Sequence, residues 1–245
     1  MFSDLQTILR LDGSEISGKF VHLVEEDDNL ANFLVHHFVN LGLKQDKKVV
    51  IVGLENTFGH YNAVGLKLGN NLMKLKESKS VFYYDFMSKF STFCDNPKDL
   101  VQDLLETLDS ELTENSILVL DKFSLVSSLG FTAKQSLNLA QKLQKLVVLK
   151  KSTLVTCSRA NSNLGSEDYL SQNEQNEVIS AFLSHSATLN IVVRPLKSGK
   201  SRSVTGNLTF LWTLPNQGNK PQEYQFRIEE KDVKIFSAGT SNAVL

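Results

Sequence analysis

Two carboxylates and one anomalous loop carry the clearest chemical potential in this chain. Asp121 closes the apolar run ILVLD (117–121), and Glu55 directly follows the apolar run KKVVIVGL (47–54). An aspartate at the end of a buried strand can hold the magnesium shell of a nucleoside triphosphate, and a glutamate at a strand end can orient an attacking water. Both also have an ordinary reading, because buried strands often end in an acid where they meet solvent. Hydrolysis would further need a phosphate cradle, and its place lies between KFVHLVE (19–25) and FLVHHFVNLGL (33–43). A G-x-x-x-x-G-K-[ST] loop works because its glycines let backbone N–H groups close on the phosphates while its lysine neutralises them. The segment found there, EDDNLAN (26–32), has no glycine and no lysine, and Glu26, Asp27 and Asp28 add negative charge. Glu55 and Asp121 are therefore expected to be remnants of a nucleotide site. No catalytic residue, cofactor or metal is expected in this chain.

Other reactive side chains fit no known constellation. His36 and His37 are adjacent on a helix and point about 100° apart, so they do not form the i,i+4 clamp of a metalloprotease. One is expected to pack inside and the other to be solvated. His22, His60 and His185 have no acid or cysteine cluster beside them, and no G-x-S-x-G elbow occurs. A basic stretch does occur: RPLKSGKSR (194–202) gathers Arg194, Lys197, Lys200 and Arg202 around a turn. It could lie on a phosphate backbone without sequence preference, reach a neighbour's nucleotide site, or be an ordinary solvated turn. The segment 160–176 reads as a loop without lysine or arginine and carries Glu167, Asp168 and Glu174. That composition argues against a grip on DNA.

The elements that would position these residues alternate. Strands are expected at 19–25, 47–54, 81–87, 117–121 and 152–158. Helices are expected at 33–43, along Tyr61, Val64, Leu68 and Leu72, at 97–112 and at 131–150. This order implies right-handed βαβ units and a mostly parallel sheet. A helix over 177–187 follows, then two antiparallel hairpins formed by 188–196 with 203–214 and by 223–230 with 233–239. A parallel core followed by antiparallel hairpins is the order of a RecA-like α/β domain. We expect one three-layer domain over 1–245, with its parallel core at about 19–158 and its antiparallel region at about 188–239. The first helix, with Phe33, Leu34, Val35, Phe38, Val39 and Leu41, is apolar over more than one stripe, which suits sheet packing and would also suit a subunit of a ring.

Bulk properties narrow the classes. With 26 basic and 27 acidic residues, no global field recruits nucleic acid or anionic membrane. Cys94 and Cys157 are the two cysteines, too few for a disulfide framework or zinc site, so a reduced intracellular compartment is expected. Residues 1–18 carry charges throughout and lack the apolar core of a secretory signal. No apolar window is long enough to span a membrane. A cytoplasmic location is expected, with the nucleus as a second one.

The stretches FLVHHF (33–38), FGHYNAVGLKLG (58–69), SLVSSLG (124–130) and FSAGTSNAVL (236–245) resemble the Elongator complex protein 6 family, in the same order over nearly the whole chain. The resemblance implies a RecA-like fold without a standard phosphate-loop lysine. It implies assembly with two paralogous RecA-like subunits, the fourth and fifth Elongator proteins, into a hexameric ring of two copies each. It also implies docking of that ring on the larger Elongator subassembly, tRNA as its ligand, and support of wobble-uridine modification by chemistry in another subunit. Two rival readings are a divergent ATPase using Glu55 and Asp121, and a DNA-recombination accessory protein of the same fold.

Overall fold

A computed structural model describes residues 5, 18–26, 30–93, 96–159, 170–196, 201, 203–213, 221–229 and 232–237, with backbone only at 170–173. Nine strands form one sheet: β1 (Phe20–Glu25), β2 (Val49–Gly53), β3 (Val81–Asp85), β4 (Ile117–Leu120), β5 (Thr153–Arg159), β6 (Leu189–Pro195), β7 (Gly206–Trp212), β8 (Gln222–Ile228) and β9 (Val233–Ser237). Their spatial order is β3-β2-β4-β5-β1-β6-β7-β8-β9. The pairings from β3 across to β6 are parallel, and those from β6 to β9 are antiparallel. The sixth strand thus ends the parallel part and opens the antiparallel part, and the two expected hairpins form as β6 with β7 and β8 with β9.

The helices are α1 (Asn32–Lys44), α2 (Phe58–Lys67), α3 (Leu72–Glu77), α4 (Phe86–Thr92), α5 (Pro97–Glu111), α6 (Leu125–Ser128), α7 (Ala133–Leu149) and α8 (Leu170–Ser186). Alternate strand residues feed two apolar layers, as a sheet covered on both faces requires. Val21, Leu23, Val49, Ile51, Ile117 and Val119 face α1, while Val50, Val52, Leu118 and Leu120 face the layer holding Leu104, Leu143 and Leu183. Both His36 and His37 are buried, because α1 is enclosed on all sides by the sheet, by α2 and by the strands beyond β6. Phe33 stacks on Phe226 of β8 with ring centroids 5.0 Å apart. The generous apolar surface of α1 is used within the chain.

Three boundaries differ from the pattern expected of the sequence. The helix through Tyr61 ends at Lys67, where Gly69 takes φ 88° and Asn71 caps a separate α3 through Lys74 N–H. The third strand stops at Asp85, whose side chain accepts from Ser88 N–H and so begins α4. The helix expected at 177 already begins at Leu170. Residues 160–169 of the acidic segment lie outside the described residues.

Candidate functional site

The chain leaves β1 through α1 toward β2 on one side, and leaves β5 through α8 toward β6 on the other. The carboxyl ends of β1 and β5 therefore form the switch point at which open α/β sheets place ligands. Glu25 ends β1 there, paired in register with Arg159 of β5. Its side chain is 1% exposed. Ala31, at the N-cap of α1, offers no capping oxygen. Its backbone N–H instead donates to Glu25 Oε2 at 3.1 Å. A helix N-terminus of this kind attracts phosphate or another anion, and here the anion is a carboxylate of the chain itself.

The cation comes from the residue after Asp121, just beyond β4. Lys122, 4% exposed, donates its ammonium to Glu25 Oε1. Glu55 Oε1 lies 3.3 Å from the same nitrogen. Burial lowers the pKa of Lys122, but hydrogen bonding and charge from Glu25, with Glu55 further off, outweigh it and hold the lysine above its ordinary value. A lysine absent from 26–32 is thus supplied from just beyond β4, and it faces carboxylates. The next acid is matched as well: Glu26 receives the Arg194 Nε, while Arg194 Nη1 donates to Thr209 Oγ1 at 3.3 Å. Glu26 was expected to repel a nucleotide as a free charge; it is ion-paired across the β1–β6 seam. Asp27 and Asp28 lie outside the described residues.

Asp121, 2% exposed, is directed at the turn after β2. Oδ1 accepts from the backbone N–H of Leu54 at 2.7 Å and of Glu55 at 3.1 Å. Oδ2 accepts from Asn56 N–H at 2.9 Å and from the Tyr61 hydroxyl at 3.2 Å. Three successive N–H groups curl around one carboxylate, the arrangement that elsewhere holds a bound anion. Burial raises its pKa and these four donors oppose the rise. Tyr83 fastens the same turn, donating to Asn56 C=O at 2.7 Å. Its ring crosses Gly53 so closely that a Cβ there would collide with it.

The structure therefore brings Glu55 and Asp121 together, with the Asp121 carboxylate accepting from the turn that carries Glu55, and gives both protein partners. Glu25 and Lys122 completed the site without a local motif to announce them. Their only sequence signal is a charge at the end of each buried run, VHLVE and ILVLDK. Of the basic stretch, Arg194 is paired as above, and Lys197, Lys200 and Arg202 lie outside the described residues. His22 is buried between Ser158 Oγ at 2.8 Å from Nε2 and Ser184 Oγ at 3.0 Å from Nδ1, with burial pulling its pKa down to about 3. Burial likewise pushes the Cys157 thiol up, away from thiolate chemistry. Cys94 lies outside the described residues. Among the described residues, no group of three or more metal-ligating side chains converges, and no helix is long and apolar enough to cross a membrane.

Sheet order and switch point define a RecA-like α/β protein in which the N-terminus of α1 is met by the chain's own Glu25–Lys122 pair. A KaiC-like protein from the hyperthermophilic archaeon Pyrococcus horikoshii shares this fold with a TM-score of 0.60, over 92% of this chain and 95% of that one, at 14% identity. Over residues 2–111 and 96–230 the chain matches the family described as Elongation complex protein 6, and it belongs to that family. Elongator complex protein 6 of Rattus norvegicus is 29% identical over 275 residues, that of Homo sapiens 28% over 275 and that of Xenopus laevis 27% over 272, each alignment spanning the whole of both chains.

Proposed function

We propose that this chain is a non-catalytic, RecA-like subunit of Elongator. It would build a hetero-hexameric ring with two paralogous RecA-like subunits, dock with them on the larger Elongator subassembly, and support modification of the tRNA wobble uridine. The observation that carries the reading is the buried Lys122–Glu25 pair at the N-terminus of α1. A triphosphate entering there would meet a carboxylate already holding the helix N–H, and Lys122 would have to leave a partner it cannot easily replace. Asp121 is committed to four donors, so a magnesium shell would have to displace the turn after β2.

In this reading the ring supplies the RNA surface. With Arg194 tied to Glu26, the charges that the basic stretch offers RNA are Lys197, Lys200 and Arg202. The protein works in the cytoplasm, and fluorescence imaging of the tagged chain decides whether a nuclear pool accompanies it.

The test combines native mass of the complex purified from its own cells with a thermal shift of the purified chain in magnesium-ATP. The expected result is an assembly near six subunits containing two other RecA-like chains, and no protection by nucleotide. A monomer or homo-oligomer protected by magnesium-ATP, with the protection lost in Asp121→Asn, would establish the divergent ATPase instead. A preference for single-stranded DNA over tRNA would favour the recombination accessory reading.

A further inference from the structure

On the face of the sheet covered by α5 and α7, the two helices leave an open groove of about 430 Å³. Its cationic lining is Lys98 at the start of α5 and Lys134 and Lys142 on α7, all exposed. Lys134 and Lys142 are eight residues apart, about 12 Å along a helix. Among the described residues none of the three forms an ion pair. The acids of α5 nearby are hydrogen-bonded to neutral donors: Asp99 accepts from Asn96 Nδ2 at 2.7 Å, Asp103 from the Tyr84 hydroxyl at 2.6 Å, and Glu106 from groove-lining Gln102 Nε2 at 2.5 Å. Among the described residues, no carboxylate lines the groove. Val101 and Phe131 contribute apolar lining between the lysines, and Phe131 is only 3% exposed.

A row of cations without an ion pair among the described residues, beside half-buried Pro97 and Val101, is complementary to a short acidic segment bearing an apolar side chain. Single-stranded nucleic acid fits less well, because its bases need an accessible aromatic face, and among the described residues the one aromatic ring of this groove, Phe131, is buried. We propose that the α5–α7 groove docks an acidic, apolar-anchored peptide segment of a partner protein. This interaction surface is independent of the filled phosphate position and stands or falls separately from the reading of that site.

The test uses the full chain and two labelled probes, a short peptide of repeated Glu-Glu-Leu units and a poly-uridine RNA of matched charge, followed by fluorescence anisotropy. The variant is K134E/K142E. The control is K145E, which changes an exposed lysine of α7 outside the groove lining. Because the substituted side chains are exposed, thermal unfolding should be nearly unchanged in all variants. The expected result is saturable peptide binding that weakens about tenfold in K134E/K142E and stays near wild type in K145E. Absent peptide binding, equal binding by the double variant, or an equal loss in K145E would overturn the proposal. Weakened RNA binding without weakened peptide binding would assign the groove to nucleic acid and overturn it as well.

Discussion

Lys122 and Glu25, 97 residues apart in the chain, meet as a buried ion pair at the first turn of α1. Breaking such a pair from one side leaves a charge without solvent or partner, at about 3–5 kcal/mol. Lys122→Met is expected to lose stability on that scale in urea unfolding, since it strands Glu25 and removes the cation beside Glu55. The double variant Glu25→Leu/Lys122→Met should recover much of the loss. If the single and double variants were equally unstable, the pair would be serving packing rather than charge balance.

Asp121 anchors the turn after β2 through three backbone N–H groups and the Tyr61 hydroxyl. Asp121→Ala should orphan these donors, at about 1–3 kcal/mol for each one left unsatisfied by water. The expected signature is faster amide hydrogen exchange at 54–56 together with lower global stability, in the absence of any nucleotide. Unchanged exchange at those amides would contradict the anchoring role.

Three histidines make the protein sensitive to acid. Burial is the main cause that lowers the pKa of His22 to about 3, His36 to about 4 and His37 to about 3, from an ordinary 6.5. With the folded values depressed, the unfolded chain takes up protons first, so stability is full above pH 6.5 and falls as pH drops toward 4. Each group contributes a slope of about 1.4 kcal/mol per pH unit in that window, and the three together about 4 kcal/mol per pH unit. Asp121, with its raised pKa, acts in the opposite sense just above its ordinary 3.8. Urea midpoints should therefore fall steeply on acidification, and His22→Gln should remove about one proton's worth of the slope. A flat profile to pH 4 would rule this out.

Gly206 begins β7 opposite Pro195, and a Cβ there would run into the Arg194 carbonyl oxygen and the Phe226 ring. Because one obstacle is backbone, the strand itself must yield. Gly206→Ala is expected to cost about 1–3 kcal/mol by calorimetry, with disturbed pairing between β6 and β7. A neutral substitution would mean that this close approach is relieved elsewhere.

Local signals carried most of the fold. VVIVG, ILVL and TLVTCS read as buried strands and are buried strands, and the capping box of Thr132 and Gln135 marks the start of α7. The break after Lys67 was obscured because Leu68 and Leu72 continue a helical spacing through a turn that Gly69 makes possible. The start of α4 depended on one aspartate doing double duty at a strand end. At the site, Asp121 and Glu55 stood out because strand-end acids are informative in α/β proteins. Glu25 and Lys122 did not, since their meaning lies in a contact between strands that are not even adjacent in the sheet. Period and propensity describe neighbours in sequence, and this pair exists only after the sheet has formed.

The filled position at the head of α1 has a thermodynamic consequence. A protein steadied by a diffusible ligand is only as stable as the prevailing ligand concentration allows. Here both halves of the occupant are covalently part of the chain, so their local concentration is set by the fold and is not lowered by dilution. The head of α1 holds its charge balance whether cellular nucleotide is plentiful or scarce.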